Sequence, residues 1–595
     1  MRMRTNLALW TRPDRLREER HSIVGHELTS DITAALSHRI RSHTSPQKYA
    51  FVFLASFLIL FFGMDRGFDF YDEGLILVGA MRVAAGQIPH RDFYANYGPG
   101  QFYTLAWLFD LFGRSVLVER IYDVTMRATI VTVAYGITQY YCRRWIVVCT
   151  TMVCGFWLFS SGLPSIAYPI IPILLLSLVG SLVLLPVFQR DVAWQRLAAA
   201  GALTGLVALF RYDVGAALMF VQSCSIGIAA VLRERRPSLR LHAATSAMLP
   251  YWAGITALFL PVALLYLTVA PIHPFIHDVI LFPAKYYVRA RRFPFPRLHW
   301  RSLENIALYL PVPVGALSIY SLIAPANRGV NPPADAEWLR TNQQQRAFLI
   351  LFGLLTIVFY FKGVVRISVV QMLLALVPMV ITLAVLYEYF SHGPRWPHQI
   401  VQALMILSIF AATWSACKEI RVLYLTQASV LQESLSPPGP ETLQSETYWC
   451  GVPNPLHTGV CFLVDPGHAQ VITYILQHTA PREQIFIGLT RHDRLVQNDL
   501  LTYFATNRMP ATRWSHFDPD LQTRADVQAE IIKEIDTQAV RYVVLEPQFD
   551  NIIEPSNDSS KSSGVTLLDD YIRRNYHQVE TFGVLSVWLR NGAQP

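Results

Sequence analysis

Long apolar runs recur from about residue 49 to residue 420, and they leave this part of the chain one kind of architecture. About 20 apolar helical residues cross a hydrocarbon layer roughly 30 Å thick. Within that layer every backbone N–H and C=O must be satisfied internally, so such runs form packed membrane helices. Composition points the same way: 52% of the residues are hydrophobic and 15% charged, against about 25% charged in soluble domains. Candidate spans fall at 49–64, 121–142, 145–160, 166–188, 195–210, 214–232, 244–270, 304–324, 346–361, 366–388 and 398–418, about eleven in all.

The arginines orient these spans. Arg143 and Arg144, then Arg190 and Arg196, then Arg233, Arg235, Arg236 and Arg240, then Arg328, Arg340 and Arg346 alternate onto the side of the arginine-rich segment 1–48. Loops rich in Lys and Arg face the cytoplasm, so 1–48 is expected to be a cytoplasmic tail. The first apolar run starts too late for an ordinary signal peptide. Residues 101–113 are apolar but short and contain Asp110; a crossing there would invert the later alternation. They are expected to lie at the interface, as is 74–85. The first outer loop, 65–120, then carries two juxtamembrane helices. An odd number of crossings leaves 421–595 outside as a soluble α/β domain. EQIFIGL (483–489), VRYVVLE (540–546) and FGVLSVWL (582–589) read as its strands and ADVQAEIIKEI (525–535) as a helix. Cys450 and Cys461 fall in it and can form one disulfide.

The net charge of +8 has no contiguous basic face with interleaved aromatics. It points to membrane lipids as partners and away from nucleic acid. Three outer-side clusters carry chemistry. Asp72 and Glu73 follow Asp65 and Asp69 directly after the first span. Carboxylates at a membrane edge lose hydration and are rare there without a partner or a task. One can act as a general base while the other holds an acceptor. The same two acids also suit the first turn of a helix beginning at GLILVGAM. Next, GQIPHRDFYANYGPGQFY (86–103) crowds His90, Arg91, Asp92, Tyr94, Tyr97 and Gln101 beside a Gly-Pro-Gly turn, a density suited to binding sugar. Arg211 and Asp213, at an outer hairpin, and Lys362 and Arg366, at another, are candidates for the same cavity, with capping of helix ends as the competing reading. Third, the outer loop 271–303 breaks the charge rule with Lys285, Arg289, Arg291, Arg292, Arg297 and Arg301. Such a cluster fits a lipid phosphate, which guanidinium grips in a bidentate way. Contact with anionic headgroups is the competing reading. His273 and His277 are spaced for a metal on a helix, but Pro274 disturbs that geometry. The acidic loop is compatible with a divalent metal, and the chemistry does not require one; the metal ligands are unknown.

YDEG (71–74), HRDFYANYGPGQFY (90–103), LFG (111–113) and the span from Glu119-Arg120 to Arg143-Arg144 resemble GT-C superfamily membrane glycosyltransferases. The likeness is to the bacterial protein mannosyltransferases and the lipid A aminoarabinose transferases. GLTRHDRLVQNDLLTYFATNR (488–508) is similar to the C-terminal domain of uncharacterised bacterial members. The resemblance implies a bacterial inner-membrane enzyme that moves a sugar from a polyprenyl-phosphate donor to an extracytoplasmic acceptor. It implies Asp72 as the catalytic carboxylate with Glu73 its neighbour, and Lys285, Arg289, Arg291 and Arg292 as the lipid-phosphate region. The rival reading is a transporter or flippase of a lipid-linked saccharide, which predicts charges at mid-span and inverted repeats.

Overall fold

The computed structural model describes residues 45–594 except 65–66, 68, 161–165, 189–192, 235, 324–335, 392–394, 436–446, 450–461, 496, 519 and 548–556. The tail 1–44, Asp65, Arg190, Arg235, Arg328, Cys450, Cys461 and the side chains of Arg289 and Arg340 lie outside the described residues. The membrane part runs α1 (Pro46–Phe62), α2 (Asp72–Ala84), α3 (Pro99–Phe112), α4 (Val116–Tyr141), α5 (Arg144–Phe159), α6 (Ile170–Leu184), α7 (Trp194–Phe210), α8 (Tyr212–Arg233), α9 (Arg240–Val269), a broken helical stretch 272–291, α10 (Pro311–Ile323), α11 (Ala336–Gly363), α12 (Val369–Phe390) and α13 (Arg395–Leu435). Among the described residues, seven helical segments are long and apolar enough to cross a membrane, and α1, α5 and α7 are apolar but shorter. The remaining expected span, α4, is 26 residues long and carries Glu119, Arg120, Asp123 and Arg127 in its first half.

The partners of these four charges explain how a buried helix face tolerates such residues. Arg120 binds Glu73 of α2 at 2.7 Å and Arg127 binds Asp123 at 2.6 Å. Glu119 accepts a hydrogen bond from the Ala167 amide, and Arg127 donates to the Leu158 carbonyl. The buried charges therefore tie α4 to α2, to α5 and to Ala167 ahead of α6. Helix α12 is apolar on every side and buried along most of its length, which makes it the centre of the bundle. Helix α9 lies at the periphery against α7. There Gly201 and Gly254 permit near-contact of backbones: a Cβ on Gly201 would fall 1.9 Å from the Tyr251 carbonyl oxygen.

The two juxtamembrane helices differ. Helix α3 has 14 residues, short of a span, and Tyr103, Trp107, Leu111 and Phe112 form an exposed stripe suited to an interface. Helix α2, expected at the interface as well, is instead buried from Glu73 to Val83. It is sandwiched between α3 and the C-terminal domain. Gly74 and Gly79 allow this, because a Cβ there would meet Leu501 and Phe102 at 2.7 and 2.4 Å.

The C-terminal domain has, among the described residues, a two-stranded ribbon of β1 (Thr447–Trp449) and β2 (Phe462–Val464) and a five-stranded sheet. The sheet consists of β3 (Gln484–Leu489), β4 (Met509–Pro510), β5 (Tyr542–Glu546), β6 (Tyr576–Phe582) and β7 (Leu585–Arg590) in the order β4-β3-β5-β7-β6. β4, β3 and β5 are parallel, and β7 and β6 continue antiparallel. The helices are α14 (Pro466–His478), α15 (Leu501–Thr506), α16 (Ala525–Thr537) and α17 (Leu567–Asn575). Val527, Ile531 and Ile535, four residues apart, form the buried stripe of α16. The strands and the helix expected from sequence are all present.

Candidate active site

Helix α2 begins at Asp72. Asp69 caps the turn before it, accepting from the Asp72 amide at 2.6 Å and the Tyr71 amide at 3.0 Å. Asp72 and Glu73 are adjacent on a helix and so point in different directions. Glu73 is fully buried and receives Arg120 Nε and Nη2 at 2.8 and 2.9 Å. Asp72 instead lines a small cleft with Tyr71, Leu75, Asn96, Tyr97, Tyr168, Arg291, Arg366, Gln371, Gln497, His516 and Asp518. The two acids expected to work as a pair are thus separated: one faces the cleft, the other anchors α4.

Arg291 reaches the cleft from the loop 271–303. The stretch before it contains two π-helical turns, His277–Leu281 and Pro283–Tyr287. These wider turns reset the phase of the helix. Arg291 is buried, while its neighbour Arg292 is exposed and absent from the cleft lining, and Lys285, also exposed, sits over the Tyr286 ring. Arg291 Nη2 donates to Tyr71 Oη at 3.1 Å and approaches Asp518 at 3.4 Å. The basic loop therefore brings Arg291 to Asp72 but leaves Lys285 and Arg292 outside the cleft lining. The second guanidinium is Arg366, which stacks on Phe293 at 4.4 Å. Its Nη1 is buried with no hydrogen-bond acceptor among the described residues.

The C-terminal domain closes the far wall. Tyr71 Oη contacts His516 Nε2 at 2.8 Å and donates to the Phe517 carbonyl at 2.9 Å. Tyr94 Oη donates to Asp518 at 3.3 Å, and the Tyr94 amide donates to the Arg513 carbonyl at 3.1 Å. Arg82 on α2 donates to the Thr512 carbonyl and to Ser515 Oγ, both at 3.0 Å. This domain is part of the cleft wall rather than an appendage.

Burial, reinforced by Asp69 and opposed by Arg291 and Arg366, raises the Asp72 carboxyl to about 6. Burial lowers the His516 imidazole to about 4, so it is neutral near pH 7. Burial would raise Asp518, but His516, Arg291 and the hydroxyls of Tyr71 and Tyr94 outweigh it and hold the carboxyl below its ordinary range. The cleft thus offers one carboxylate able to take a proton near neutral pH, one fixed anion and two guanidinium groups.

The remaining expected residues are distributed around this centre. Tyr97 Oη donates to Tyr168 Oη at 2.7 Å and lines the cleft, whereas Gln101 is buried and spent on the Ala167 carbonyl. Arg211 pairs with Asp213, which also binds Lys362 at 3.0 Å; Arg211 lies over the Tyr97 ring, one layer behind the cleft. Arg91 and Asp92 pair with each other at 2.7 Å at the surface. His90 is buried against Asp278, which also meets His277 and Arg513. Of the expected contacts, then, Asp72, Tyr97, Arg291 and Arg366 line the cleft directly, and Tyr94 holds Asp518 from behind. Sequence reasoning missed Tyr168, Gln371, Gln497, His516 and Asp518. The polar run RWSHFDPD (513–520) is the signal that could have drawn attention to the last two. Among the described residues the one cluster of three metal-ligating side chains is His468, Asp499 and Glu546, in the C-terminal domain and not in the acidic loop.

No protein-family model and no curated protein matches the chain in sequence. Solved structures do. ArnT from Cupriavidus metallidurans in the apo state aligns with a TM-score of 0.50 at 12% identity, covering 92% of this chain and 98% of that one. The same protein bound to undecaprenyl phosphate aligns at 0.48, with 12% identity over 93% and 100%. An oligosaccharyltransferase from Archaeoglobus fulgidus aligns at 0.42, with 10% identity over 83% and 68%. The chain shares the fold of ArnT.

Proposed function

We propose that the protein is a glycosyltransferase that moves a sugar from a polyprenyl-phosphate donor to an acceptor outside the cytoplasm, with Asp72 as general base. The observation that carries this reading is the juxtaposition of Asp72, at about 6, with Arg291 and Arg366 around one cleft. Arg366 Nη1 has no acceptor among the described residues, as befits a group reserved for an anion. The leaving group is the phosphate monoester. The acceptor hydroxyl gives its proton to Asp72, its oxygen attacks the anomeric carbon, and the bond from that carbon to the phosphate oxygen breaks. The electron pair stays on the phosphate, where the two guanidinium groups stabilise the added charge. Attack opposite the leaving group inverts the anomeric centre. Tyr97, Tyr168, Gln371, Gln497 and Asn96 supply the polar and aromatic lining that orients a sugar. In this reading Glu73 is a positioning residue, since its carboxylate is occupied by Arg120. The expected setting is a bacterial inner membrane, with the cleft and the C-terminal domain on the periplasmic side.

The test is made in proteoliposomes supplied with a cell-envelope extract that contains polyprenyl-phosphate sugars together with the glycans, lipids and proteins able to serve as acceptor. Native protein is expected to consume donor and release free polyprenyl phosphate, and Asp72→Asn is expected to release none above background. Donor that changes leaflet without being consumed would establish the flippase instead.

A further inference from the structure

A second centre lies in the C-terminal domain, at its seam with the first outer loop. His468 occupies the first turn of α14, Asp499 precedes α15, and Glu546 ends β5. All three are almost completely buried. The parallel strand β5 and the two connections beside it therefore deliver three ligand-type side chains to one point from distant parts of the sequence. Their ligand atoms all lie within 4.8 Å of one another.

The hydrogen bonding around these atoms is incomplete. Asp465 caps α14 and meets His468 Nδ1 at 2.5 Å, which fixes the ring and directs Nε2 inward. Nε2 then faces Glu546 at 3.6 Å and Asp499 at 3.7 Å. Both separations exceed a hydrogen bond, which runs to about 3.2 Å for nitrogen and oxygen. His468 Nε2, Asp499 Oδ2 and both Glu546 carboxylate oxygens are buried without a hydrogen-bond partner among the described residues. Nor does a Lys or Arg among them pair with Asp499 or Glu546, whose ion-pair partner is His468. Buried carboxylates left in this state are costly unless a cation compensates them. Ligands about 2.0–2.2 Å from a tetrahedral ion stand roughly 3.3–3.6 Å apart, close to the separations found here. An imidazole whose other nitrogen is held by a carboxylate is also the usual outer arrangement of a metal-binding histidine.

We propose that His468, Asp499 and Glu546 bind a divalent transition metal of the zinc class, and that this ion fastens the C-terminal domain to the first outer loop. One nitrogen and two carboxylate ligands suit zinc, cobalt or manganese better than a purely oxygen-seeking ion. The fastening follows from position. The Phe70 ring packs on the His468 ring at 4.1 Å, and the Phe70 carbonyl accepts from the Leu500 and Leu501 amides at 2.9 and 3.2 Å. Asp499 is directly before Leu500, and Asp72 is two residues after Phe70. A metal that orders Asp499 and His468 therefore orders the turn that presents Asp72. The proposal concerns binding and assembly and stands apart from the transfer reaction.

The experiment uses full-length protein purified in detergent without a polyhistidine tag, stripped with chelator and then dialysed against zinc. Elemental analysis is expected to find one tightly held zinc per chain in the native protein and none in Glu546→Gln or His468→Gln. Zinc is expected to raise the melting temperature of the native protein and to leave that of Glu546→Gln unchanged. X-ray absorption of the native protein, which needs no variant to fold, is expected to show nitrogen and oxygen ligands with a single imidazole. Native protein that retains no zinc, or zinc retained equally by a well-folded Glu546→Gln, overturns the proposal. In the first case His468 would be a protonated imidazole between two carboxylates.

Discussion

Replacing Asp72 by Asn separates what the carboxylate does for the reaction from what it costs the fold. In the folded protein its carboxyl is raised from 3.8 to about 6. That gap, at about 1.36 kcal/mol per pH unit, corresponds to roughly 3 kcal/mol by which folding disfavours the ionised form. The direction follows from proton binding. Between pH 3.8 and about 6 the folded state keeps a proton that the unfolded state has lost, so stability declines as pH rises through this interval and is flat above it. Asparagine is neutral at every pH and nearly isosteric, so it escapes this cost. The variant is therefore expected to melt at a higher temperature than native protein at pH 7.5, and at about the same temperature near pH 4. Transfer should nevertheless drop by about 10²–10⁴-fold, the contribution of a general base. Thermal melts of detergent-solubilised protein across pH 4–8 measure the first effect, and release of polyprenyl phosphate measures the second. A variant that melts lower than native at pH 7.5 would refute the electrostatic reasoning, because it would mean that Arg291 and Arg366 make the anion favourable. Undiminished transfer would refute the assignment of the base.

For native protein, transfer should rise with pH through about 6, with roughly one-tenth of Asp72 ionised at pH 5 and nine-tenths at pH 7; a pH–rate profile flat from 5 to 7 would count against Asp72. Arg291→Gln removes a charge that lowers the Asp72 carboxyl, so the acid limb of that profile should move to higher pH while kcat/KM falls about 10–100-fold from the lost charged contact; an unmoved limb would show that the two groups do not interact. Glu73→Gln leaves Arg120 buried without its counter-charge, which should cost about 3–5 kcal/mol and appear as a lower melting temperature or poor recovery from membranes, whereas a fully stable Glu73→Gln protein with reduced kcat would return Glu73 to the chemistry. Asp518→Asn keeps the shape of the side chain but removes the fixed anion held by Tyr71, Tyr94 and Arg291; reduced transfer with an intact melting curve is expected, and normal transfer would remove the C-terminal domain from the active cleft.

What the sequence revealed and what it concealed divide along the range of the interactions involved. Apolar length and loop charge are local properties, and they sufficed to find the helices and the basic loop containing Arg291. Alternating and helical apolar patterns are local too, and they located β3, β5, β7 and α16 to within a few residues. The direction of a side chain is different, because it depends on a partner that can lie anywhere in the chain. Asp72 and Glu73 look equivalent in YDEG, but Arg120, 47 residues away, claims Glu73. His516 and Asp518 meet Tyr71 across more than 440 residues, so nothing near either end announces the contact. The buried α2 shows the same limit. Its mixture of glycines and aliphatic residues fits a membrane interface, and only the docking of Leu500 and Leu501 against Gly74 turns that face inward. A domain that reads as an independent periplasmic unit therefore helps to shape the cleft, because the glycines of α2 let it approach closely enough for His516 and Asp518 to meet Tyr71 and Tyr94.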